Sequence, residues 1–320
     1  MIKTLEVFNF KSIKHIKMEC KRINLFIGEP NTGKSNILET IGLLSHVYYG
    51  GDTRRFCRFE NMTDIFYDHV LDNKVRILFD QKTLEIEFKN GSFFGNYVNE
   101  MGGRAGIFVY GYQGGGSRSV LPDFSTFKFY RFAIKSIFPD QRSEFLYPPE
   151  GDNLLAVVLV RRDLRSVLKQ IFEKFGLILV LEPQEGKIRV QKQFEDIVVT
   201  FPYSLASETL QRLVFHLAAI YSNKDSVIAF EEPEAHAFPY YTKYLAEMIA
   251  QNKNNNQYFI STHNPYFLLS VLEKAPRDEV SVFCTRLEGY QTKVKALTEE
   301  QIGEVLEKGL DVFFNIERFY

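Results

Sequence analysis

The chain has 320 residues, of which 45% are hydrophobic and 25% charged, with a formal net charge of −1 at pH 7. This composition is typical of a globular protein. The net charge gives no overall positive field that would attract nucleic acid, but it does not exclude a local basic patch. The three cysteines, Cys20, Cys57 and Cys284, lie far apart without a CxxC pair, so neither a disulfide scaffold nor a cysteine metal site is expected.

The first fifty residues predict two alternating strands, a buried strand and a helix. Lys3–Phe10 and Ile13–Met18 alternate apolar and polar residues, and their frequent charges exclude a signal peptide. Ile23–Ile27 is a short apolar run that stops at Gly28, as expected for a central strand. From Ser35 onward, apolar residues recur at helical spacing, which predicts a helix packed on the sheet.

The middle of the chain predicts short strands and then a long helix. Residues 50–145 contain strand-like segments at Val75–Phe79, Leu84–Phe88 and Gly106–Tyr110, separated by Asn, Asp and Gly turns. We interpret this part as a mostly β insertion. Leu154–Phe175 then shows helical periodicity with charged residues on the other face.

The last part alternates helix and strand after a β-hairpin. The hairpin and the strand after it are predicted at Leu177–Leu181, Ile188–Val190 and Ile197–Phe201. Helices and strands then follow at Thr209–Ser222, Ser226–Phe230, Tyr240–Gln251 and Tyr258–Ser261. Such alternation predicts a parallel sheet with crossover helices. No apolar run approaches the roughly 18 residues of a membrane-spanning helix, so we expect a cytoplasmic protein.

A phosphate-binding motif follows the first apolar strand. Gly28-Glu-Pro-Asn-Thr-Gly-Lys-Ser35 matches G-x-x-x-x-G-K-[ST] at every defined position. The glycines permit a tight loop whose backbone N–H groups face an anion at a helix N-terminus. Lys34 is expected to contact the β- and γ-phosphates, and Ser35 to offer its hydroxyl to Mg²⁺. The motif predicts a nucleotide site made of Gly28, Glu29, Pro30, Asn31, Thr32, Gly33, Lys34, Ser35 and Asn36.

Paired acids follow a later apolar strand. Ser226-Val-Ile-Ala-Phe-Glu-Glu-Pro-Glu234 places Glu231 and Glu232 at the carboxyl edge of that strand, where open α/β sheets bind ligands. Because a phosphate loop needs a facing carboxylate for Mg²⁺, we predict that Glu231 holds the metal, directly or through water. Glu232 would then act as general base toward the attacking water. The alternative interpretation is an acidic turn exposed to solvent, without a function. The presence of a phosphate loop in the same chain favours the functional interpretation.

These motifs resemble ABC-type ATPases of the RecF, SMC and OLD kind, whose heads form one split nucleotide-binding domain. The resemblance rests on four segments: residues 8–14 (FNFKSIK), 23–39 (INLFIGEPNTGKSNILE), 231–239 (EEPEAHAFP) and 259–266 (FISTHNPY). The third segment has Phe238 where the families usually carry a second histidine. In the fourth segment, the resemblance implies that His263 contacts the γ-phosphate. Without the resemblance, a lone histidine is more often a capping or core residue.

One segment departs from the family pattern. These families place a serine–glycine signature before the acidic strand and donate it to the nucleotide of a partner subunit. The corresponding residues 203–212, YSLASETLQR, keep Ser204 and Ser207 at a predicted helix start but lack the glycine, whose place Thr209 takes. We predict that Ser204 and Ser207 contact the partner's nucleotide. The alternative that the stretch has lost this role stays open.

The resemblance implies an α/β P-loop fold, an ABC-ATPase-like head with a mixed sheet and a mostly β insertion. The predicted division is one split domain over 1–320, with an insertion at 50–145, a helical signature-like lobe at 150–222 and a C-terminal part at 223–320. The resemblance also implies that ATP and Mg²⁺ are cofactors and that two copies of the chain form a head-to-tail homodimer when ATP binds. The dimer would act on DNA or on a nuclease or effector protein.

Other functions remain possible from the sequence. One alternative is an ATP-gated scaffold without turnover, and another is a small-molecule kinase with Arg161, Arg162 and Arg165 in a lid. We see no heptad run for a coiled-coil tether, and we expect any nuclease activity to come from another chain. The arginine cluster just named and two further basic clusters suit solvated faces at least as well as DNA contacts; the further clusters are Arg54, Arg55 and Arg58, and Lys187, Arg189 and Lys192.

Overall fold

The computed structural model describes residues 1–307 and 312–319. Its first half contains one helix among many strands. In chain order these elements are β1 (Thr4–Phe10), β2 (Ile13–Glu19), β3 (Ile23–Gly28), α1 (Lys34–Tyr49), β4 (Val75–Phe79), β5 (Lys82–Lys89), β6 (Ser92–Val98), β7 (Arg104–Tyr110), β8 (Gly116–Arg118) and β9 (Phe127–Tyr130).

The second half alternates helices with strands after a three-stranded sheet. Its elements are α2 (Leu154–Val160), α3 (Arg162–Glu173), β10 (Leu177–Glu182), β11 (Lys187–Phe194), β12 (Ile197–Pro202), α4 (Glu208–Ser222), β13 (Val227–Glu231), α5 (Pro239–Ala250), β14 (Gln257–Ser261), α6 (Pro265–Lys274), β15 (Val280–Glu288), β16 (Gln291–Ala296) and α7 (Glu299–Glu307). No described helix is both long enough and apolar enough to cross a membrane.

A six-stranded mixed sheet forms the centre of the molecule. Its strand order is β16-β15-β3-β14-β13-β9. Strands β15, β3, β14, β13 and β9 are parallel, and only the edge strand β16 runs antiparallel. The carboxyl ends of β3, β13 and β14 therefore meet at one edge, where chain segments with phosphate-loop, acidic and histidine motifs begin. The predicted α/β fold with a mixed sheet is confirmed.

The strands within residues 50–145 belong to two different sheets. A seven-stranded antiparallel sheet has the order β2-β1-β4-β5-β6-β7-β8, so the first two strands of the chain belong to it. Strand β9, in contrast, lies within residues 50–145 but pairs with β13 in the central sheet. Its four residues, Phe-Lys-Phe-Tyr, are all buried, and Lys128 among them donates a hydrogen bond to Asn223 at 2.6 Å. In the sequence, such a lysine is typical of a half-exposed strand, so it gives no local sign that β9 lies inside the central sheet.

The predicted helix over Leu154–Phe175 is wrong as a single element. It is broken at Arg161, whose φ of −86° and ψ of 100° are extended. The Arg161 guanidinium donates hydrogen bonds to the carbonyls of Glu144 and Ser222, each at 3.1 Å. The break separates the uniformly apolar α2 from the amphipathic α3, so each half buries a different face.

Two apolar cores cover the two faces of the central sheet. Leu25 and Ile27 of β3 point into the core shared with α4, α5 and α6. Phe26 points the other way, toward α1, and its ring stacks between Phe259 and Phe283 with centroids 6.3 and 5.3 Å away. Burial on both faces holds the carboxyl end of β3 in a rigid position, and the phosphate loop starts there.

Candidate functional site

The phosphate-loop motif forms a loop between β3 and α1. Gly33 has a φ of +93°, and a Cβ at this position would lie 2.0 Å from the Thr292 hydroxyl, so only glycine fits. Lys34 Nζ donates to the carbonyls of Gly28 and Glu29 at 2.8 and 2.7 Å. Burial lowers the pKa of Lys34 to about 8. The loop thus curls around its own lysine, in the position where a phosphate group would sit.

Three hydroxyl residues outside the motif brace this loop. Thr32 and Thr285 are hydrogen-bonded through their hydroxyls at 2.7 Å. Ser12 is bonded to the Thr292 hydroxyl at 2.6 Å, and Asn36 Nδ2 donates to Ser12 at 2.7 Å. Because Ser12 follows β1 and the two threonines lie on β15 and β16, no local sequence pattern identified them.

The two predicted acids sit at the carboxyl end of β13 in different surroundings. Arg58 donates from Nη2 to Glu231 Oε1 at 3.0 Å, and Arg131 Nη2 lies 3.8 Å from Glu231 Oε2. Glu232 has a φ of +43°, and its backbone N–H donates to the Ser261 carbonyl at 3.0 Å. A left-handed conformation is uncommon for glutamate, so the chain here is held by the neighbouring strand β14.

His263 lies at the same sheet edge, beside Glu232. Its Nε2 is 3.4 Å from Glu232 Oε1. Burial lowers the pKa of His263, the nearby Lys34 charge lowers it further, and Glu232 acts in the opposite direction. The imidazole is therefore neutral at pH 7 and can donate a hydrogen bond through one nitrogen while accepting through the other. Lys34, Glu232 and His263 form one electrostatic group at the end of the sheet.

A buried carboxylate behind the phosphate loop, Glu39 of α1, was missed by sequence reasoning. It is fully buried and forms ion pairs with Lys11, with Arg58 at 2.8 Å and with Arg131 at 3.4 Å. Burial alone would raise the pKa of Glu39, but Lys11 and Arg58 outweigh it, and the pKa lies below its usual value. The only local signal was a charged residue within an apolar helix. Its partners come from three separate segments.

The donor set at the sheet edge fits a magnesium ion. Ser35 offers a hydroxyl beside the phosphate loop, and Glu231 offers a carboxylate from the neighbouring strand. Mg²⁺ prefers oxygen ligands and completes its shell with phosphate oxygens and water, so two protein donors are enough. Glu231 Oε1 accepts a hydrogen bond from Arg58 Nη2 at 3.0 Å, and a bound metal ion would take the place of this contact.

Ser204 and Ser207 lie just before α4. Ser207 caps α4 by accepting a hydrogen bond from the Leu210 N–H at 3.4 Å, and Ser204 accepts one from the Ser136 hydroxyl at 3.2 Å. Among the described hydrogen bonds, neither serine contacts the phosphate loop of the same chain. Thr209 donates to the His236 carbonyl at 2.6 Å, so the start of α4 is joined to the segment that follows the acids.

The basic clusters are largely engaged within the chain. Arg55 pairs with Glu150 and Asp152 at 2.8 and 3.1 Å. Arg189 pairs with Glu182 at 2.7 Å. Arg161 donates to the carbonyls of Glu144 and Ser222, and Arg165 donates to the carbonyl of Leu159. These contacts favour internal roles for these arginines over a DNA patch or a kinase lid.

Comparison with known proteins links two separate parts of the chain to ATPase family models. Residues 1–96 match the family model described as "AAA ATPase domain". Residues 135–270 match the model described as "AAA domain, putative AbiEii toxin, Type IV TA system". No curated protein matches the sequence significantly.

Solved structures with the same fold include two SMC heads. An SmcHead bound to the C-winged helix domain of ScpA is 15% identical, with a TM-score of 0.56, covering 93% of this chain and 98% of that one. An Smc head with an extended coiled coil, bound to the C-terminal domain of ScpA from Pyrococcus furiosus, is 14% identical. Its TM-score is also 0.56, and the match covers 96% of this chain and 98% of that one. At this identity the likeness concerns the fold.

Proposed function

We propose that this chain, which matches two AAA ATPase family models and has the fold of SMC heads, is a P-loop ATPase switch that closes two copies around Mg·ATP. The observation that carries the proposal is the pair formed by Glu232 and His263. Their side chains lie 3.4 Å apart, within the electrostatic reach of Lys34. A base, a γ-phosphate contact and a phosphate-binding cation are thereby combined at one sheet edge.

Each residue of this edge has a defined task in the proposed reaction. Lys34 exchanges the carbonyls of Gly28 and Glu29 for β- and γ-phosphate oxygens. Ser35 and Glu231 hold Mg²⁺, which neutralises charge on those oxygens when it is bound. Glu232 orients the attacking water and accepts its proton. Neutral His263 donates a hydrogen bond to the γ-phosphate and so distinguishes ATP from ADP.

Exposed apolar residues around the site support a head-to-tail dimer. Leu205, between Ser204 and Ser207, is 72% exposed; Phe238, beyond the acids, is 69% exposed; Tyr266, just after His263, is 60% exposed. Large apolar side chains on segments that border one site are typical of a surface that another protein covers. A second copy would bury them and place its own Ser204 and Ser207 at this chain's γ-phosphate.

For the target of the switch we propose DNA or a nuclease or effector protein, in the cytoplasm. The internal engagement of the basic clusters favours a protein target. The two SMC heads with this fold are each bound to a domain of another protein, ScpA.

Two alternatives make different predictions about turnover. If the absence of the signature glycine has abolished hydrolysis, the chain is an ATP-gated scaffold that binds nucleotide without turnover. A small-molecule kinase would need an acceptor site and a lid. Arg161 and Arg165 instead bond to backbone carbonyls of this chain, which disfavours this alternative.

Steady-state ATP hydrolysis measured against protein concentration tests the switch. We expect specific activity to rise with concentration, and Glu232→Gln to bind ATP without hydrolysing it. Specific activity that is independent of concentration would contradict the dimer. If the native chain and Glu232→Gln both bind ATP and neither hydrolyses it, the chain is either an ATP-gated scaffold or an ATPase that requires an activating partner.

A further inference from the structure

A second buried carboxylate lies next to the proposed catalytic pair. Glu234 is only 5% exposed, two residues beyond Glu232. Its Oε1 accepts a hydrogen bond from the hydroxyl of the fully buried Thr262. The other oxygen, Oε2, has no hydrogen-bond partner among the described residues. Thr262 immediately precedes His263, so the contact joins the acidic segment to the histidine segment.

The Thr262 hydroxyl is also bonded on its other side. It accepts a hydrogen bond from the backbone N–H of Asn264 at 3.0 Å. Asn264 in turn caps α6, because its Oδ1 accepts from the N–H groups of Tyr266 and Phe267 at 2.9 and 3.2 Å. The hydroxyl therefore connects Glu234 to the turn that carries His263 and to the start of a helix.

A second contact joins the same two segments one residue earlier, at Ser261. The backbone N–H of Glu232 lies 3.0 Å from the Ser261 carbonyl and 3.3 Å from the Ser261 hydroxyl. Glu232 and Glu234 thus hold Ser261 and Thr262. The His263 side chain is left facing Glu232 at 3.4 Å.

Glu234 lacks the compensation that the other buried carboxylate receives. Glu39 is surrounded by Lys11, Arg58 and Arg131, whereas no described lysine or arginine forms an ion pair with Glu234. Burial raises the pKa of Glu234 to about 7, against the opposing effect of the Thr262 hydrogen bond. A neutral side chain would fill this position at less expense in stability, and such exceptions are expected at functional sites.

We propose that Glu234 is a positioning residue, which acts through the Thr262 hydroxyl to hold His263 against Glu232 for recognition of the γ-phosphate. The inference rests on the proposed ATPase switch and deepens it. Glu234 itself touches neither nucleotide nor water in this proposal. Its contribution is the orientation of the His263 turn, where a displacement of about 1 Å can reduce turnover about a hundredfold.

The test replaces the hydroxyl and compares the result with a matched substitution. Thr262→Val removes the hydroxyl at nearly constant volume, and Thr262→Ser keeps it. Thr242→Val is the control, because Thr242 is equally buried and its hydroxyl has no hydrogen-bond partner in the described residues. Turnover and the affinities for ATP and ADP are measured by steady-state kinetics and calorimetry on the full chain.

We expect Thr262→Val to lower kcat by about tenfold or more and to reduce the preference for ATP over ADP, with ADP affinity unchanged. Thr262→Ser and Thr242→Val should stay within about threefold of the native chain. In a His263→Ala background, Thr262→Val should have no further effect on kcat, since a residue that acts through His263 is not additive with its loss.

Other results overturn the proposal. Native kcat and a native ATP preference in Thr262→Val would do so, as would full additivity with His263→Ala. If Thr262→Val does not fold, Glu234→Leu decides: the proposal requires a folded variant with low kcat, and an active variant refutes it. Failure of the ATPase proposal would be recognised separately, by unchanged ATP affinity in Lys34→Ala.

Discussion

The two sides of the nucleotide site are held together by different forces. Behind the phosphate loop, the Glu39 carboxylate is surrounded by three cations. On the histidine side, Glu234 has no ion-pair partner among the described residues and accepts a hydrogen bond from the neutral Thr262 hydroxyl. The first arrangement depends on charge and holds a rigid frame. The second depends on hydrogen-bond direction, which suits a segment that must respond to one phosphate group.

The largest expected difference concerns the stability of the folded chain. Glu39→Gln leaves Lys11, Arg58 and Arg131 without their common carboxylate, so we expect the free energy of unfolding at pH 7 to fall by about 3 kcal/mol. Glu234→Gln, the matched substitution on the other side, should cause no loss. Urea denaturation of both variants measures the difference. Equal losses would show that the two sides are not held by different forces.

Removal of the phosphate-loop cation should affect binding while the fold is retained. Lys34→Ala deletes a charged donor to two phosphate oxygens, and we expect ATP affinity to fall by about a hundredfold. Lys14→Ala, at an exposed position of β2, is the control and should bind normally. Calorimetric titration with ATP distinguishes the two, and retained affinity in Lys34→Ala would refute the site.

The pH dependence of stability should reveal Glu234. Its pKa is raised from 4.5 to about 7 by burial, so between these values the unfolded chain has lost this proton and the folded chain still holds it. The contribution of Glu234 to stability therefore decreases as the pH rises from about 4.5 to about 7. We expect Glu234→Gln to be more stable than the native chain by about 3 kcal/mol at pH 8 and nearly equal at pH 4.5. A difference that does not vary with pH would contradict this prediction.

The smallest expected effect is on ATP affinity in alkaline solution. Burial lowers the pKa of Lys34 to about 8 in the free chain, and phosphate binding favours the protonated amine. Affinity should therefore be constant below pH 8 and fall by up to about tenfold per pH unit above it. Lys34→Arg, which stays charged, should show no such fall. A parallel decline in both proteins would assign the titration to another group.

The predicted ATPase class and α/β fold are confirmed, and the reasons lie in short segments. The phosphate-loop motif needs only eight adjacent residues and flanking elements of the right type. The strands β3, β13 and β14 are short apolar runs that end at predicted site residues, so their positions in the chain could be inferred locally. The helix at Leu154–Phe175 was predicted as one element because the apolar periodicity of the sequence is not interrupted at Arg161. In the structure, the backbone of this one residue is extended and breaks the helix.

What the sequence determined by itself is therefore the chemistry of each strand end: a phosphate loop after β3, paired acids after β13 and a histidine after β14. Only the tertiary structure decided which side chains support that chemistry. Ser12, in the turn after β1, and Thr285 and Thr292, on β15 and β16, reach the phosphate loop from distant parts of the chain. Glu39 pairs with cations from three segments. The conformation of a short motif depends on the residues next to it in the sequence. The contacts of these supporting side chains depend instead on the order of the strands in the sheets, and that order is set by burial across the whole chain.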